Sequence, residues 1–232
     1  MNRKIVLSML MLCMCASVFT ACGAKSEQTD GVDAMTETEV IVSESETPTE
    51  DGEYVPGTVS ETGYVSDWMG LVFNKPEGMK IISQEELLSR VDAAGGNNDN
   101  QTFMDNYAQS KTNTEMSCDS EDMSANLTIT VEDIAASDIT EEEYLSIMGD
   151  MLLAIDVVGV TYSTEDVIAE ITIGGEKYVM QEYSIDSDNT SMKQLYCIRK
   201  KGDRMISMIF TYVDNEVGYS NYCSMKDAFA AK

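Results

Sequence analysis

The 232-residue chain contains no histidine. That absence removes Ser-His and Cys-His nucleophile pairs, histidine-ligated zinc and the H-E-x-x-H protease motif together. A G-x-S-x-G elbow, a phosphate-cradling G-x-x-x-x-G-K-[ST] and a dinucleotide G-x-G-x-x-G are missing as well. Tryptophan occurs once, at Trp68, and proline three times. Carboxylate-only hydrolysis of glycosides needs two acids about 5 to 10 Å apart in a cleft lined by sugar-stacking rings, and a single tryptophan is a poor start. Positive charge is scarce: 15 Lys and Arg stand against 41 Asp and Glu, a formal net charge of −26. Such a surface repels nucleic acid and anionic headgroups, so no nucleic-acid partner is expected, and solubility is its simplest consequence. The residues therefore give no catalytic group, no cofactor and no metal site, and the chain is read as not an enzyme.

What is present begins at the N-terminus. Arg3 and Lys4 precede an apolar run over residues 5–19, then Thr20-Ala21-Cys22 and Gly23. The apolar run is too short to span a bilayer comfortably. This stretch resembles a bacterial lipoprotein signal, in which the cysteine is acylated and becomes the first mature residue. The resemblance implies lipidation with palmitate-type chains at Cys22 and residence on the extracytoplasmic face of the cell membrane, with the lipid as anchor. An ordinary cleaved signal or a transmembrane anchor is the alternative. Loss of residues 1–22 leaves 13 basic and 41 acidic residues, a formal charge of −28. It also removes Cys13 and Cys15, so with Cys22 lipidated only Cys118, Cys197 and Cys223 remain of the six cysteines. No C-x-x-C occurs, which supports neither zinc nor a thioredoxin-like motif. A Cys118 to Cys197 bridge and three free, core-packed cysteines both stay open.

Residues 23–62 carry one lysine against 11 acids and few large apolar side chains. That composition cannot bury enough apolar surface to offset its ordering entropy, and it is read as a disordered acidic linker. Forty such residues reach roughly 35 Å on average, and like-charge repulsion extends them. Residues 63–232 have the length of one domain with a substantial core.

Within that domain, residues 64–73 read as one or two short strands broken at Gly70 and stopped before Pro76. Ser83 with Glu86 is a capping-box pattern ahead of a short helix carrying Leu87, Leu88 and Val91. Residues 95–114 form the longest irregular stretch, the kind of loop where function concentrates. Strands follow at 115–119 and 125–131, where Ala125, Leu127, Ile129 and Val131 alternate with polar residues. A helix starts near Thr140, capped by Thr140 with Glu143 at the third helical position, and has Tyr144, Met148, Met151 and Ile155 as its buried stripe. Strands at 167–173, 177–185, 192–199 and 205–213, joined by short turns, form a meander. A helix over 215–230, with Gly218, Tyr222, Met225 and Phe229 on one side, closes the chain. The fold class is thus α+β, an antiparallel meander with helices packed on it.

The aromatic opening into Asn74-Lys75-Pro76-Glu77-Gly78, the acidic helix start Thr140-Glu141-Glu142-Glu143-Tyr144-Leu145, the Ile173-Gly174-Gly175-Glu176-Lys177-Tyr178 hairpin and the closing helix resemble PsbP-like domains of small bacterial lipoproteins. The resemblance covers most of residues 63–232. It implies a three-layer α/β/α sandwich used for binding or assembly, and it carries over no catalytic residue.

Candidate sites are few. Arg199, Lys200, Lys201 and Arg204 gather on one turn as a candidate partner-binding patch for an envelope protein or a phosphate-bearing wall polymer; a solvated hairpin tip is the plainer reading. Tyr64 and Trp68 are candidate ligand-stacking rings, with a core role as the alternative. Asp186-Ser187-Asp188-Asn189 begins like a calcium loop, but Ser191 and Cys197 stand where Gly and Glu are required, so a hairpin turn is expected. Asp92, Asn97, Asn98, Asp99 and Asn100 offer a weak cation site on the long loop. The expected function is a membrane-anchored extracytoplasmic lipoprotein with a non-catalytic binding or scaffolding domain. The alternative is an extracytoplasmic, carboxylate-dependent enzyme acting on envelope polysaccharide, which needs two facing acids in a cleft beside Trp68.

Overall fold

Alternation in the strand sequences builds a sheet whose two faces are both buried. The structure, a computed structural model, describes residues 52–83, 86–87, 112–135, 137–155, 159–165, 167–187 and 190–232. In chain order the elements are β1 (Thr58–Ser60), β2 (Gly63–Ser66), β3 (Leu71–Asn74), β4 (Met79–Ile82), β5 (Thr112–Ser120), β6 (Ala125–Asp133), α1 (Glu141–Leu153), β7 (Val160–Ser163), β8 (Ile168–Ile173), β9 (Glu176–Ser187), β10 (Thr190–Lys201), β11 (Arg204–Val213), α2 (Glu216–Asp227) and β12 (Phe229–Ala231). The large antiparallel sheet runs β4-β5-β6-β11-β10-β9-β7, and β8 also pairs with β9. A second, four-stranded sheet runs β1-β2-β3-β12.

Leu195 and Cys197 of β10 point into one apolar cluster, with Phe210, Tyr222 and Met225 and with Tyr64, Leu71 and Phe73 of the small sheet. Tyr196 and Ile198, one residue out of phase, point into another, with Tyr144, Leu145, Met148 and Leu152 of α1. The period of two thus sends neighbouring side chains to opposite layers. The result is α1 on one face of the large sheet, and α2 with the small sheet on the other. This is an α+β fold in three layers, as expected, with the third layer part helix and part sheet. Each fully buried large apolar side chain in these clusters contributes roughly 1.5–3 kcal/mol.

Both helices start where their caps require. Thr140 Oγ1 accepts from the Glu143 N–H at 3.2 Å, and the Thr140 N–H donates to Glu143 Oε2 at 3.0 Å, a complete capping box. Asn215 Oδ1 accepts from the Gly218 N–H at 2.8 Å. A Cβ on Gly218 would lie 2.2 Å from the Val213 carbonyl oxygen, so glycine lets α2 close onto β11.

Four expectations are corrected. The last helix ends at Asp227, and residues 229–231 leave it as β12, pairing antiparallel with β3; the Phe229 ring lies 4.9 Å from that of Phe73. Helical spacing therefore found the buried side of Phe229 but not its backbone. The strands β4 and β7 escape the alternation reading, since each is only four residues long. Strand β5 begins at Thr112, three residues before the expected strand. Composition places residues 52–62 in the linker, yet β1 pairs with β2 across Thr58↔Val65 and Ser60↔Gly63. Ser83 caps a helical turn at Glu86 and Leu87, accepting the Glu86 N–H at 3.1 Å. The signal, the linker up to residue 51 and the long loop up to residue 111, with its cation candidates, lie outside the described residues. Cys118, Cys197 and Cys223 are free, which settles the question of a bridge.

Candidate functional site

A buried carboxylate that the sequence reading passed over accepts four hydrogen bonds. The β5–β6 register shifts between Thr114 and Met116, so Glu115 is the extra residue of a β-bulge. A bulge turns its residue away from strict alternation. Glu115 consequently lies on the side of Met116 and meets the small sheet, only 7% exposed. Its Oε1 accepts from Tyr54 Oη and from Asn113 Nδ2, the latter at 2.9 Å. Its Oε2 accepts from the Gly57 N–H at 2.7 Å and from Tyr64 Oη at 2.9 Å. Four donors fill the lone-pair positions of the carboxylate. Burial and, after it, the neighbouring Glu115 push both Tyr54 and Tyr64 well above the usual phenol range, so both stay protonated donors.

Around this centre the expected site residues take up structural posts. Tyr64 is fully buried, so its ring has no face for a ligand, and the stacking role assigned to it is withdrawn. Trp68 is 8% exposed; Tyr54 packs edge-on against it at 5.1 Å, and its Nε1–H donates to the Gly52 carbonyl at 3.3 Å. The basic turn folds back onto the same segment. Lys201 Nζ sits 5.3 Å from the Trp68 ring centroid and donates to the Trp68 carbonyl at 2.5 Å. Arg204 lies over the Tyr54 ring at 5.1 Å and pairs with Asp133 and Asp203, each at 3.4 Å. Arg199 pairs with Glu176 at 3.0 Å, and Lys200 Nζ donates to the Ile139 carbonyl at 3.0 Å. All four basic residues are thus engaged inside the chain, and the turn fastens the entry segment and the start of α1 more than it offers bare charge.

Beside Glu115 lies a cavity of about 510 Å³, walled by Val59, Ile81, Ile82, Leu87 and Met116, with Ser60 and Glu61 near β1. Its walls suit an apolar group. Among the described residues no cluster of three or more Cys, Asp or Glu is arranged to hold a metal, and no helix is long and apolar enough to cross a membrane. Asp186 lies within β9 opposite Ser191 of β10, and its Oδ1 accepts from Ser191 Oγ at 2.7 Å across the hairpin.

Fold and site together describe a layered α+β domain with a fastened entry segment. No family model matches the sequence, and no curated protein matches it. Several solved structures are similar to it, three of them as follows. The solution structure of the cyanobacterial PsbP protein CyanoP from Synechocystis aligns at a TM-score of 0.43 and 11% identity, over 78% of this chain and 98% of that one. A protein from Bacteroides thetaiotaomicron aligns at 0.41 and 11%, over 75% of this chain and 49% of that one. LpqN of Mycobacterium tuberculosis, involved in cell envelope biogenesis, aligns at 0.35 and 10%, over 69% and 82%.

Proposed function

We propose that the chain is a lipid-anchored extracytoplasmic protein whose domain works by binding or scaffolding, not by catalysis. The observation that carries this reading is the use made of buried carboxylates. Glu115 is saturated by four donors, Glu132 accepts from Tyr144 Oη at 2.6 Å, and Asp119 accepts from Asn126 Nδ2 at 2.6 Å. A general acid or base has to face its substrate, whereas these groups face their own fold. The enzyme alternative asks for two acids in a cleft beside Trp68, and the described surroundings of that ring are Tyr54, Lys201 and the Gly52 carbonyl. The leader motif ending at Cys22 supports the location.

The test has two arms. In a bacterial host fed an alkyne-bearing palmitate, the wild-type chain takes up label and partitions with membranes, and Cys22→Ala abolishes both. The full chain incubated with envelope polysaccharide releases no new reducing ends. Unlabelled, intact protein in the cytosol overturns the anchor, and release of reducing ends overturns the binding role.

A further inference from the structure

The edges of the two sheets are not alike. Strands β1 and β12 end the small sheet with three residues each, and β4 and β7 are four residues long at the ends of the large one. Short edges are a standard protection against unwanted pairing. Strand β8 departs from this. It runs six residues along β9 in unbroken register from Ile168↔Gln181 to Ile173↔Glu176, with no bulge, no proline and no lysine. Its far side pairs with no described strand.

The hairpin fixes which backbone groups face outward. Gly174 and Gly175 have φ of +59° and +87°, the signature of a two-residue turn with both central residues left-handed. Such a turn makes Ile173↔Glu176 a hydrogen-bonded pair, and antiparallel alternation then turns the N–H and C=O of Ile171 and Ala169 inward as well. Ile168, Glu170 and Thr172 therefore aim theirs at the open edge, and all three side chains are exposed. Ile168 is 43% exposed and the preceding Val167 61%. Beside the strand, a groove of about 380 Å³ is walled by Val167, Ala169 and Met180, with Glu165 at its rim and Glu182 there paired with Lys193 at 3.1 Å.

We infer that the outer edge of β8 is a docking site for an extended, basic peptide segment of a partner protein, which adds to the sheet as a further antiparallel strand. This rests on the reading of the domain as a binding module and names its partner class. Backbone bonds to Ile168, Glu170 and Thr172 supply the register, and side chains opposite Ala169 and Ile171 meet the apolar groove. A lysine or arginine opposite Glu170 supplies the charge match; the Glu170 pair with Lys177, at 3.1 Å between two largely exposed side chains, is easily exchanged. A second copy of the chain fits worse. Symmetric pairing about Glu170 sets it opposite its own counterpart, a destabilising cross-strand pair, between two molecules of formal charge −26.

The test uses the full chain in detergent with an acetylated, amidated (Val-Lys)₄ peptide. Binding is followed by calorimetry, and backbone amide exchange reports the location. The expected result is binding with about tenfold slower exchange at Ile168, Glu170 and Thr172. N-methylation of the peptide's lysine amides keeps every charge and removes the bonding N–H groups, so binding is lost. Glu170→Lys weakens the (Val-Lys)₄ complex about tenfold and favours (Val-Glu)₄. Thr172→Pro removes only an outward N–H, so the ladder to β9 survives while binding falls. Equal binding of the N-methylated peptide, or protection elsewhere than β8, overturns the inference, as does a concentration-dependent dimer through β8. Each of these leaves the lipid label on Cys22 and the reducing-end assay untouched, so this inference fails separately from the proposed function.

Discussion

Glu115 and Glu132 are both carboxylates withdrawn from water, and the difference between them is the number of donors. Glu115 has four, from Tyr54, Gly57, Tyr64 and Asn113. Glu132 is 2% exposed, and Tyr144 Oη donates to it at 2.6 Å. Burial pushes the Glu132 carboxyl above the ordinary glutamate range; the Tyr144 bond opposes that shift and the neighbouring Asp133 charge adds to it. The folded state then holds a proton that the unfolded chain, titrating near pH ~4.3, has already released. Between that value and the raised one the native form binds more protons, so the Glu132 contribution to stability falls as pH rises and is flat above the window. Glu132→Gln keeps an acceptor for Tyr144 and removes the titration. Denaturant titrations of both proteins from acid to neutral pH should show the stability of the variant gaining on wild type as pH rises. A difference that stays constant with pH places the penalty elsewhere.

At the scale of elements, the helix starts are the most local features of the fold. The Thr140-Glu141-Glu142-Glu143 run contains all the atoms of its capping box, and the three acids of the first turn lie at the positive end of the helix dipole. Thr140→Ala should therefore lower stability by about 1 kcal/mol, read as a shift in denaturant midpoint at unchanged slope. A loss under a few tenths would mean that packing of Tyr144 and Met148 alone sets where α1 begins. The meander β8 to β11 was legible for the same reason: its turn chemistry and alternation sit within ten or so residues. Strands β1, β4, β7 and β12 were not, because three or four residues carry too little pattern and their pairing partners are remote in sequence, as with Phe229 and Phe73. The candidate site was legible only in part. The basic turn and Trp68 stood out by residue type, but Lys201 reaches the Trp68 carbonyl across 133 residues, and Trp68 meets Gly52 in a segment of linker-like composition. Glu115 gave no signal beyond being a charge in a strand, since a bulge leaves no mark in a single sequence.

For the whole molecule, the question is where the folded body starts. Composition draws the line at residue 63, whereas the hydrogen bonds carry the folded body back at least to residue 52, the first described residue. Tyr54 and Gly57 supply two of the four donors on Glu115, Gly52 accepts from Trp68, and β1 extends the small sheet. A chain cut at 63 keeps only Asn113 and Tyr64 as donors to a carboxylate that remains deep between the sheets. Hydrogen bonds to a charged group are worth roughly 1.5–3 kcal/mol each, and a buried charge left half satisfied adds its own desolvation cost. The loss should come to about 3–5 kcal/mol, which for a domain of this length lowers the melting temperature by roughly 10 °C. A chain starting at residue 52 should melt with the longer protein. Adding Glu115→Gln to the chain cut at 63 should then cost little, because the donors that needed the charge are already gone, whereas the same substitution in the chain from 52 should itself lower the melting temperature by most of that 10 °C. Thermal scans of the four proteins measure this coupling directly: if the two cuts melt together, or if the substitution costs the same in both, the entry segment is only laid on the domain and Glu115 does not hold it.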